Sequence, residues 1–296
     1  MAYVEVNGVR VHYVAHGPAR PEVATVVLVH GFPVDHRLMV GAFEPVFAER
    51  PGWRRLYIDL PGMGRTEAPD VASTDDVFQV LRGTVEALVP AGPYVVVGQS
   101  YGGYLARGLV AADPERVAGL AAVVTVVAPR HELRQLPERQ VLVRDPGLAE
   151  RVGAEALEAE EILVVQTEET WAATRRQVDP GLAAADPAAT MRIEASYQGT
   201  FAVEPVPFGG PVLVVVGRQD SVTGYRDAWE LVEHYPRATF AVLDRAGHAL
   251  NIEQRGLFEA LVNEWLDRVE EEAGLRSAPS SSVGAVRSRP RPERAG

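Results

Sequence analysis

The sequence predicts an α/β fold built on a mainly parallel sheet. Short valine-rich runs bounded by turn residues recur along the 296 residues, and segments with helical spacing separate them. Continuous apolar runs of this length are typical of strands that are buried on both faces of a parallel sheet. Their alternation with helical segments therefore indicates an α/β architecture.

The first element is a predicted β-hairpin in the N-terminal stretch MAYVEVNGVRVHYVAHG. Apolar side chains alternate with polar ones on both sides of Asn7-Gly8. An Asn-Gly pair between alternating runs is the short-range signature of two antiparallel strands joined by a type I′ turn. The stretch has no basic start followed by an unbroken apolar run, so we predict no signal peptide.

Six runs, most of them rich in valine, then predict the remaining strands. They are residues 24–29, 54–58, 94–97, 119–127, 211–216 and 238–243. Helical spacing between these runs is clearest at residues 104–112 and 257–269. Strands and helices together cover most of the chain outside one long gap.

That gap is residues 129–207, a segment rich in Glu, Ala and Leu that shows no strand pattern. It predicts a helical insertion, and an insertion this long inside an α/β sheet favours a cap over a pocket rather than plain surface helices. The predicted domains are therefore a core of residues 1–128 and 208–273 and a helical cap of residues 129–207. Residues 274–296 are rich in Ser, Pro and Arg, and we predict that they are disordered.

Composition excludes several functional classes. The net charge of -11 argues against nucleic-acid binding, which needs basic patches. The chain has no cysteine, which removes thiolate nucleophiles and disulfides, and no lysine, which removes Schiff-base chemistry. The longest apolar run is too short to cross a bilayer. We therefore expect a soluble, cytoplasmic protein with no membrane partner.

The run VVVGQSYGG raises the question of whether Ser100 is a nucleophile or a turn residue. Gly98, Ser100 and Gly102 match the pattern GxSxG, with a predicted strand before it and a predicted helix after it. A sharp strand-to-helix turn strains the serine backbone and exposes its Oγ above the sheet, and glycines fit against that crowded turn. The context, more than the pattern alone, favours a nucleophile.

A serine hydroxyl is a weak nucleophile, so a base and a group that orients the base must accompany it. Asp220 ends one predicted strand and His248 lies just after the next, both at the carboxyl edge of the sheet, where open α/β sheets place their sites. Asp227 and Asp244 are rivals for the acid. The first lies in a helical pattern and the second is only four residues before His248, so the sequence favours Asp220.

Acyl transfer also needs donors for a developing oxyanion. The backbone N–H of Tyr101 follows the serine directly, and the N–H of Phe32 lies in the loop after the third strand. His30, Asp35 and His36 in the same loop are an incomplete set of metal ligands. We therefore expect neither a metal nor a cofactor.

Five motifs in this order resemble those of the α/β-hydrolase superfamily. They are HGFP (30–33), DLPGMGRT (59–66), GQSYGG (98–103), GRQD (217–220) and AGH (246–248). The resemblance extends from the hairpin to about residue 270. It implies a mainly parallel eight-stranded sheet flanked by helices, with a helical cap inserted after the sixth strand.

The resemblance also implies roles for individual residues. Ser100 would be the nucleophile, His248 the general base and acid, and Asp220 the residue that orients the imidazole. The N–H groups of Phe32 and Tyr101 would form the oxyanion hole. Asp59 and its neighbours in DLPGMGRT would shape a loop beside the pocket.

The leading functional hypothesis is a carboxylesterase-like serine hydrolase of small, mainly apolar esters. One alternative is a carbon–carbon bond hydrolase of dienoic acids, although this chain has HGFPV where many such enzymes carry HGxGPG. A basic residue in the cap would favour it, and the candidates are Arg130, Arg134, Arg175, Arg176 and Arg192. Another alternative is a low-turnover ligand receptor on the same fold. A small molecule is the predicted partner, and homo-oligomer formation is left open.

Four side chains of the predicted cap are candidates for the substrate pocket because they are large and apolar. They are Trp171, Met191, Tyr197 and Phe201. Aromatic residues and methionine at helical spacing also occur in ordinary packing, so the pattern alone does not separate pocket from core.

Overall fold

The computed structural model describes residues 2–158 and 162–274. The predicted disordered tail, apart from Gly274, lies outside the described residues. Among the residues that are described, no helix combines the length and the apolar character needed to span a bilayer.

Ten strands lie in the described part of the chain. They are β1 (Ala2–Val6), β2 (Val9–His16), β3 (Thr25–Val29), β4 (Arg54–Ile58), β5 (Tyr94–Gln99), β6 (Val117–Val123), β7 (Val143–Arg144), β8 (Val165–Gln166), β9 (Val212–Gly217) and β10 (Ala238–Leu243).

Eight of these strands form one sheet in the order β1-β2-β4-β3-β5-β6-β9-β10. In this sheet β2 runs antiparallel to both of its neighbours, and the other seven strands all run in one direction. The mainly parallel eight-stranded sheet is therefore confirmed. In the hairpin turn, Asn7 has a φ of 51° and Gly8 a φ of 78°, and a type I′ turn requires positive φ at both positions.

The helices of the described residues are α1 (His36–Phe47), α2 (Thr74–Leu88), α3 (Tyr101–Ala112), α4 (Leu148–Val152), α5 (Ala154–Glu158), α6 (Glu168–Gln177), α7 (Asp179–Ala184), α8 (Pro187–Ala195), α9 (Arg226–Trp229), α10 (Leu250–Glu253) and α11 (Arg255–Glu272). Short 3-10 helices occur at His131–Leu133 and Glu230–His234.

Helices cover both faces of the sheet, which explains why its strands are continuously apolar. Successive side chains of a strand point to opposite faces. In β3, Val27 and Val29 pack in the core that contains residues of α2 and α3, whereas Val26 and Leu28 pack in the core that contains residues of α1 and α11. Both faces are thus buried, as the sequence predicted.

The predicted strand at residues 119–127 is too long at its carboxyl end. β6 stops at Val123 because Val124 has a φ of 40°, a left-handed conformation that a strand cannot contain. The chain turns there, and the N–H of Val126 donates to the carbonyl of Ser100 at 3.0 Å. The apolar run continues past the strand because Val124 and Val126 stay buried after the turn.

The segment between β6 and β9 contains α4 to α8, in agreement with a helical insertion. The prediction that this segment contains no strand was wrong in one detail. β7 and β8 pair in parallel over two residues each. Strands this short leave no alternating pattern to detect. The division into a core and a cap at residues 129 and 207 stays a prediction.

Phe258 of α11 offers a test of how much this core contributes to the stability of the fold. Its ring is fully buried and meets the ring of Phe43 edge to face at 5.3 Å between centroids. We expect Phe258→Ala to lower the free energy of unfolding by about 3–5 kcal/mol, because the truncation leaves a cavity. Leu257→Ala, at a side chain that is 54% exposed, should change it by less than about 1 kcal/mol in the same urea titration. Equal losses in the two variants would contradict this view of the core.

Candidate functional site

Ser100 occupies a strained backbone position between β5 and α3. Its φ is 56° and its ψ is -117°, which a non-glycine residue rarely adopts. The turn is held from β6, because the Ser100 N–H donates to the carbonyl of Val123 at 2.9 Å. The carbonyl of Ser100 accepts in turn from the N–H groups of Gly103 and Val126, both at 3.0 Å. The backbone of Ser100 is thus fixed on both sides.

Glycine is required on each side of this turn because the backbone approaches too closely for any side chain. A Cβ on Gly98 would overlap the backbone of Gly102. A Cβ on Gly102 would overlap the carbonyl oxygens of Val29 and His30. The glycines of GxSxG therefore allow α3 to start directly against the ends of β3 and β5.

His248 connects the serine to a buried acid. Its Nε2 lies 3.0 Å from the Oγ of Ser100, and its Nδ1 lies 2.9 Å from Oδ2 of Asp220. Ser100 and Asp220 are both buried, and the imidazole is largely so. The three predicted residues, which are far apart in sequence, thus form one continuous hydrogen-bonded path.

Asp220 is held by donors on both carboxylate oxygens. Oδ1 accepts from the N–H of Val222 at 2.8 Å and of Thr223 at 3.0 Å, and Oδ2 accepts from the hydroxyl of Thr223 at 2.7 Å. Burial alone would raise the pKa of Asp220, but His248 and the donors of Thr223 outweigh it and hold the pKa below its ordinary value. Asp220 is therefore an ionised, oriented acceptor.

The loops that carry the acid and the histidine are tied to each other. The N–H of Gln219 donates to the carbonyl of Ala246 at 3.0 Å. A Cβ on Gly217 would overlap the carbonyl oxygens of Ala246 and Gly247, so glycine allows the two loops to touch. Asp220 and His248 therefore keep a fixed separation.

Glu253 of α10 binds the backbone of the histidine loop, and no sequence pattern pointed to this residue. The N–H of Gly247 donates to its Oε2 at 2.6 Å. Its Oε1 accepts from the N–H groups of Val164 and Val165, at the start of β8 in the insertion. Burial raises the pKa of Glu253 although these three N–H groups oppose the rise. One carboxylate thus joins the histidine loop to the insertion.

The predicted oxyanion donors belong to Tyr101, directly after Ser100, and to Phe32, in the loop after β3. Within the described residues, neither the N–H of Phe32 nor that of Tyr101 donates to a protein acceptor. Their rings pack edge to face at 5.6 Å between centroids. His30 anchors this loop, because its Nε2 accepts from the N–H of Leu60 at 3.0 Å. Burial lowers the pKa of His30, which favours the neutral form that this bond requires.

A hub of two histidines around Asp59 lies beside this loop. The ligating atoms of His12, His36 and Asp59 lie within 4.8 Å of one another, close enough to suggest a metal. However, Oδ1 of Asp59 accepts from the N–H and Nδ1 of His36, and Oδ2 accepts from Nδ1 of His12 and the N–H of Arg65. A carboxylate offers about four lone-pair sites, so the donors saturate it. We interpret the cluster as a hydrogen-bonded hub.

A cavity of about 350 Å³ opens in front of Ser100 and His248. Its wall is mainly apolar, with contributions from α1, α7, α10 and the loop before β8. The apolar side chains include Val34, Leu38, Ile162, Val178, Leu182 and Ile252. Three polar side chains beyond Ser100 and His248 also line it, namely Gln99, Arg134 and Asn251.

Only one of the four predicted pocket residues lines this cavity. Tyr197 does so. Trp171 instead lies under the guanidinium of Arg175, Met191 is 69% exposed on the surface, and Phe201 stacks on Phe78 of α2. Large apolar side chains at helical spacing were a poor guide, because spacing does not reveal which helix face turns toward the cavity.

Comparison with known proteins agrees with the α/β architecture described above. The chain matches the family model of the alpha/beta hydrolase fold over residues 24–254. A solved alpha/beta superfamily hydrolase from Oenococcus oeni PSU-1 superposes with a TM-score of 0.82 at 23% identity, over 91% of this chain and 100% of that one. A malate-bound thermophilic esterase from Thermogutta terrifontis gives a TM-score of 0.61 at 25% identity, over 91% and 99%.

The chain is also similar to a curated protein over a shorter stretch. Across 91 residues it is 37% identical to the 2-succinyl-6-hydroxy-2,4-cyclohexadiene-1-carboxylate synthase of Salmonella paratyphi B. The match covers 31% of this chain and 34% of the synthase, so it spans about a third of that relative's length.

The Asp59 hub predicts a specific acid sensitivity. Burial would raise the pKa of Asp59, but His12 and His36 outweigh it and hold the pKa far below its ordinary value. Its contribution to stability is therefore present above the unfolded pKa of about 3.9 and is lost as the pH falls below it. Asp59→Asn should lower the free energy of unfolding by about 3 kcal/mol at pH 7. The NH₂ group of the asparagine amide would face N–H donors that the carboxylate now accepts from.

The difference in unfolding free energy between wild type and Asp59→Asn should narrow when urea unfolding is repeated at pH values below 4. Both proteins lose stability there through their other carboxylates, but only the wild type also loses the contribution of an ionised Asp59. Asp70→Asn, at an exposed aspartate eleven residues away, is the matched control and should follow the wild type. A gap that stays constant from pH 7 to pH 3 would contradict the assignment of an ionised Asp59.

Proposed function

The chain belongs to the α/β hydrolase family, and we propose that it is a serine hydrolase that cleaves small, mainly apolar esters and related acyl compounds. The observation that carries the proposal is the path from the Oγ of Ser100 through His248 to Asp220 at the wall of an apolar cavity. In this proposal Ser100 is the nucleophile, His248 the general base and acid, and Asp220 the residue that orients the imidazole.

The first half of the reaction forms an acyl-enzyme. The Oγ of Ser100 attacks the ester carbonyl carbon while Nε2 of His248 takes the hydroxyl proton. The negative charge on the carbonyl oxygen is stabilised by the free N–H groups of Phe32 and Tyr101. The tetrahedral intermediate then collapses, the bond to the leaving oxygen breaks, and His248 returns its proton to the departing alcohol.

The second half regenerates the enzyme. A water molecule gives a proton to Nε2 of His248 and its oxygen attacks the acyl carbon. The bond from that carbon to Oγ of Ser100 breaks, Oγ recovers the proton from His248, and the carboxylic acid leaves. Throughout, Asp220 stays ionised and stabilises the imidazolium, which its donor-saturated, buried position supports.

Size and polarity of the cavity support a small acyl substrate. A volume of about 350 Å³ is at the low end of the range for small-molecule sites. Its mainly aliphatic wall offers apolar contact to an acyl chain rather than hydrogen bonds to a sugar or a nucleotide.

A second candidate is carbon–carbon bond hydrolysis of a dienoic acid, which uses the same three residues. Arg134 favours it, because this cation of the insertion lines the cavity. The partial similarity to a synthase whose product is a carboxylate also supports an acidic substrate. Direct assay on a ring-cleavage product separates the two reactions.

Replacing the nucleophile gives the first test. We expect Ser100→Ala to lower kcat for p-nitrophenyl butyrate by about 10⁴-fold or more, because the remaining donors and the cavity cannot supply an attacking oxygen. The same variant should lose reaction with a fluorophosphonate probe, read by mass spectrometry of the intact chain.

Ser73→Ala is the matched control, since Ser73 caps α2 and does not line the cavity. It should keep both the turnover and the probe label. Full activity in Ser100→Ala would overturn the assignment of Ser100 as the nucleophile. If the wild-type protein reacts with no short ester and not with the probe, the proposed esterase activity is overturned.

A further inference from the structure

We propose that the substrate of this site carries a carboxylate and that Arg134 binds it. This inference rests on the proposed function, because it places the carboxylate in the cavity that contains Ser100 and His248. It changes the predicted substrate from a plain apolar ester to an acyl compound with an acidic end.

Arg134 reaches the cavity from the loop that follows β6. Its Nε donates to the carbonyl of Ala128 at 2.9 Å, and its two terminal nitrogens donate to the carbonyls of Val222 at 2.9 Å and Pro129 at 3.1 Å. These bonds fix the guanidinium but do not neutralise it. A guanidinium has five N–H donors. Three are used in these bonds and the side chain of Arg134 also hydrogen-bonds Tyr197, so one N–H remains for a ligand.

Other buried arginines of this chain are paired with acids. Arg107 forms a bidentate pair with Glu204, and Arg55 forms one with Glu44. Within the described residues, Arg134 has no carboxylate within ion-pair distance although it is only partly exposed. A cation that is partly removed from water is stabilised when a ligand places a negative charge beside it.

The position of Arg134 fits the end of a substrate rather than its reacting centre. Arg134, Phe32 and Tyr197 line both the cavity of Ser100 and a neighbouring cavity of about 650 Å³. The first is mainly apolar, and the second also contains charged side chains of both signs, among them Arg130 and Glu194. Arg134 therefore lies where an apolar acyl compartment meets a polar one.

Asn251 of the same cavity is a polar side chain without a hydrogen-bond partner among the described residues. Its side chain is buried, and within the described residues neither its Nδ2 nor its Oδ1 has a hydrogen-bond partner. Buried amides are ordinarily satisfied, so this side chain is available to a polar ligand. An arginine without a carboxylate partner and an asparagine without a hydrogen-bond partner, in a mainly apolar wall, are better matched by a substrate with a polar end than by a hydrocarbon chain.

The test compares two esters that differ only at the far end of the acyl chain. Mono-p-nitrophenyl glutarate ends in a carboxylate, and p-nitrophenyl valerate ends in a methyl group. A second pair, 4-acetoxybenzoate and 4-acetoxytoluene, places the carboxylate on the leaving group instead. The quantity measured is the ratio of kcat/KM for the acidic ester to that for its neutral partner, in the wild type and in Arg134→Gln.

We expect the ratio for at least one pair to fall about tenfold or more in Arg134→Gln, mainly through KM, and to recover in part in Arg134→Lys. Arg192→Gln is the matched control. Arg192 also donates to backbone carbonyls, of Val71, Ala68 and Pro69, but lies outside the cavity, so its loss should leave both ratios unchanged.

Salt and inhibition provide a readout on the wild type alone, in case Arg134→Gln fails to fold. Glutarate should inhibit p-nitrophenyl valerate hydrolysis competitively, and the inhibition should weaken as sodium chloride is added. Two outcomes overturn this inference alone, provided that the neutral esters are turned over. In the first, Arg134→Gln leaves both kcat/KM ratios unchanged. In the second, glutarate does not inhibit. No turnover of any of the four esters overturns the proposed function and this inference with it.

Discussion

The backbone of Ser100 is the constraint on which the remaining geometry depends. Its positive φ is maintained because Val123 at the end of β6 accepts its N–H and Val126, in the turn that follows, donates to its carbonyl. Glycines also let α3 start against the ends of β3 and β5. Parallel strands all end at one edge of a sheet, so once this turn is fixed, the loops after β9 and β10 reach it directly. The hydroxyl, the imidazole and the carboxylate come together because the strands that precede them end at the same edge of the sheet.

Two carboxylates perform the same structural task on opposite sides of that turn. Asp220 accepts from two N–H groups, a hydroxyl and an imidazole, and Asp59 accepts from two N–H groups and two imidazoles. Each is buried with its lone pairs occupied, and in each case donors outweigh burial and lower the pKa. One fixes the histidine loop and the other fixes the loop of Phe32, so the site is rigid at both ends.

Sequence reasoning located what depends on neighbouring residues and missed what depends on packing. The strands at residues 54–58 and 238–243 were predicted at their observed limits, because β-branched runs between turn residues are a local property. Val124 was misplaced in a strand because its left-handed conformation is imposed by the turn over Ser100. The hydrogen-bonded path through Ser100, His248 and Asp220 was predicted because strand ends can be counted in the chain. Met191 and Phe201 were not found in the cavity, since helix orientation is set by tertiary contacts.

Glu253 makes the insertion and the histidine loop parts of a single unit. Its carboxylate binds the backbone of Val164 and Val165 on one side and of Gly247 on the other. A chimera that exchanges this insertion for one from another hydrolase would leave Glu253 facing foreign backbone, next to the loop that positions His248. Any segment that replaces the insertion must therefore also supply the two N–H groups that this acid binds.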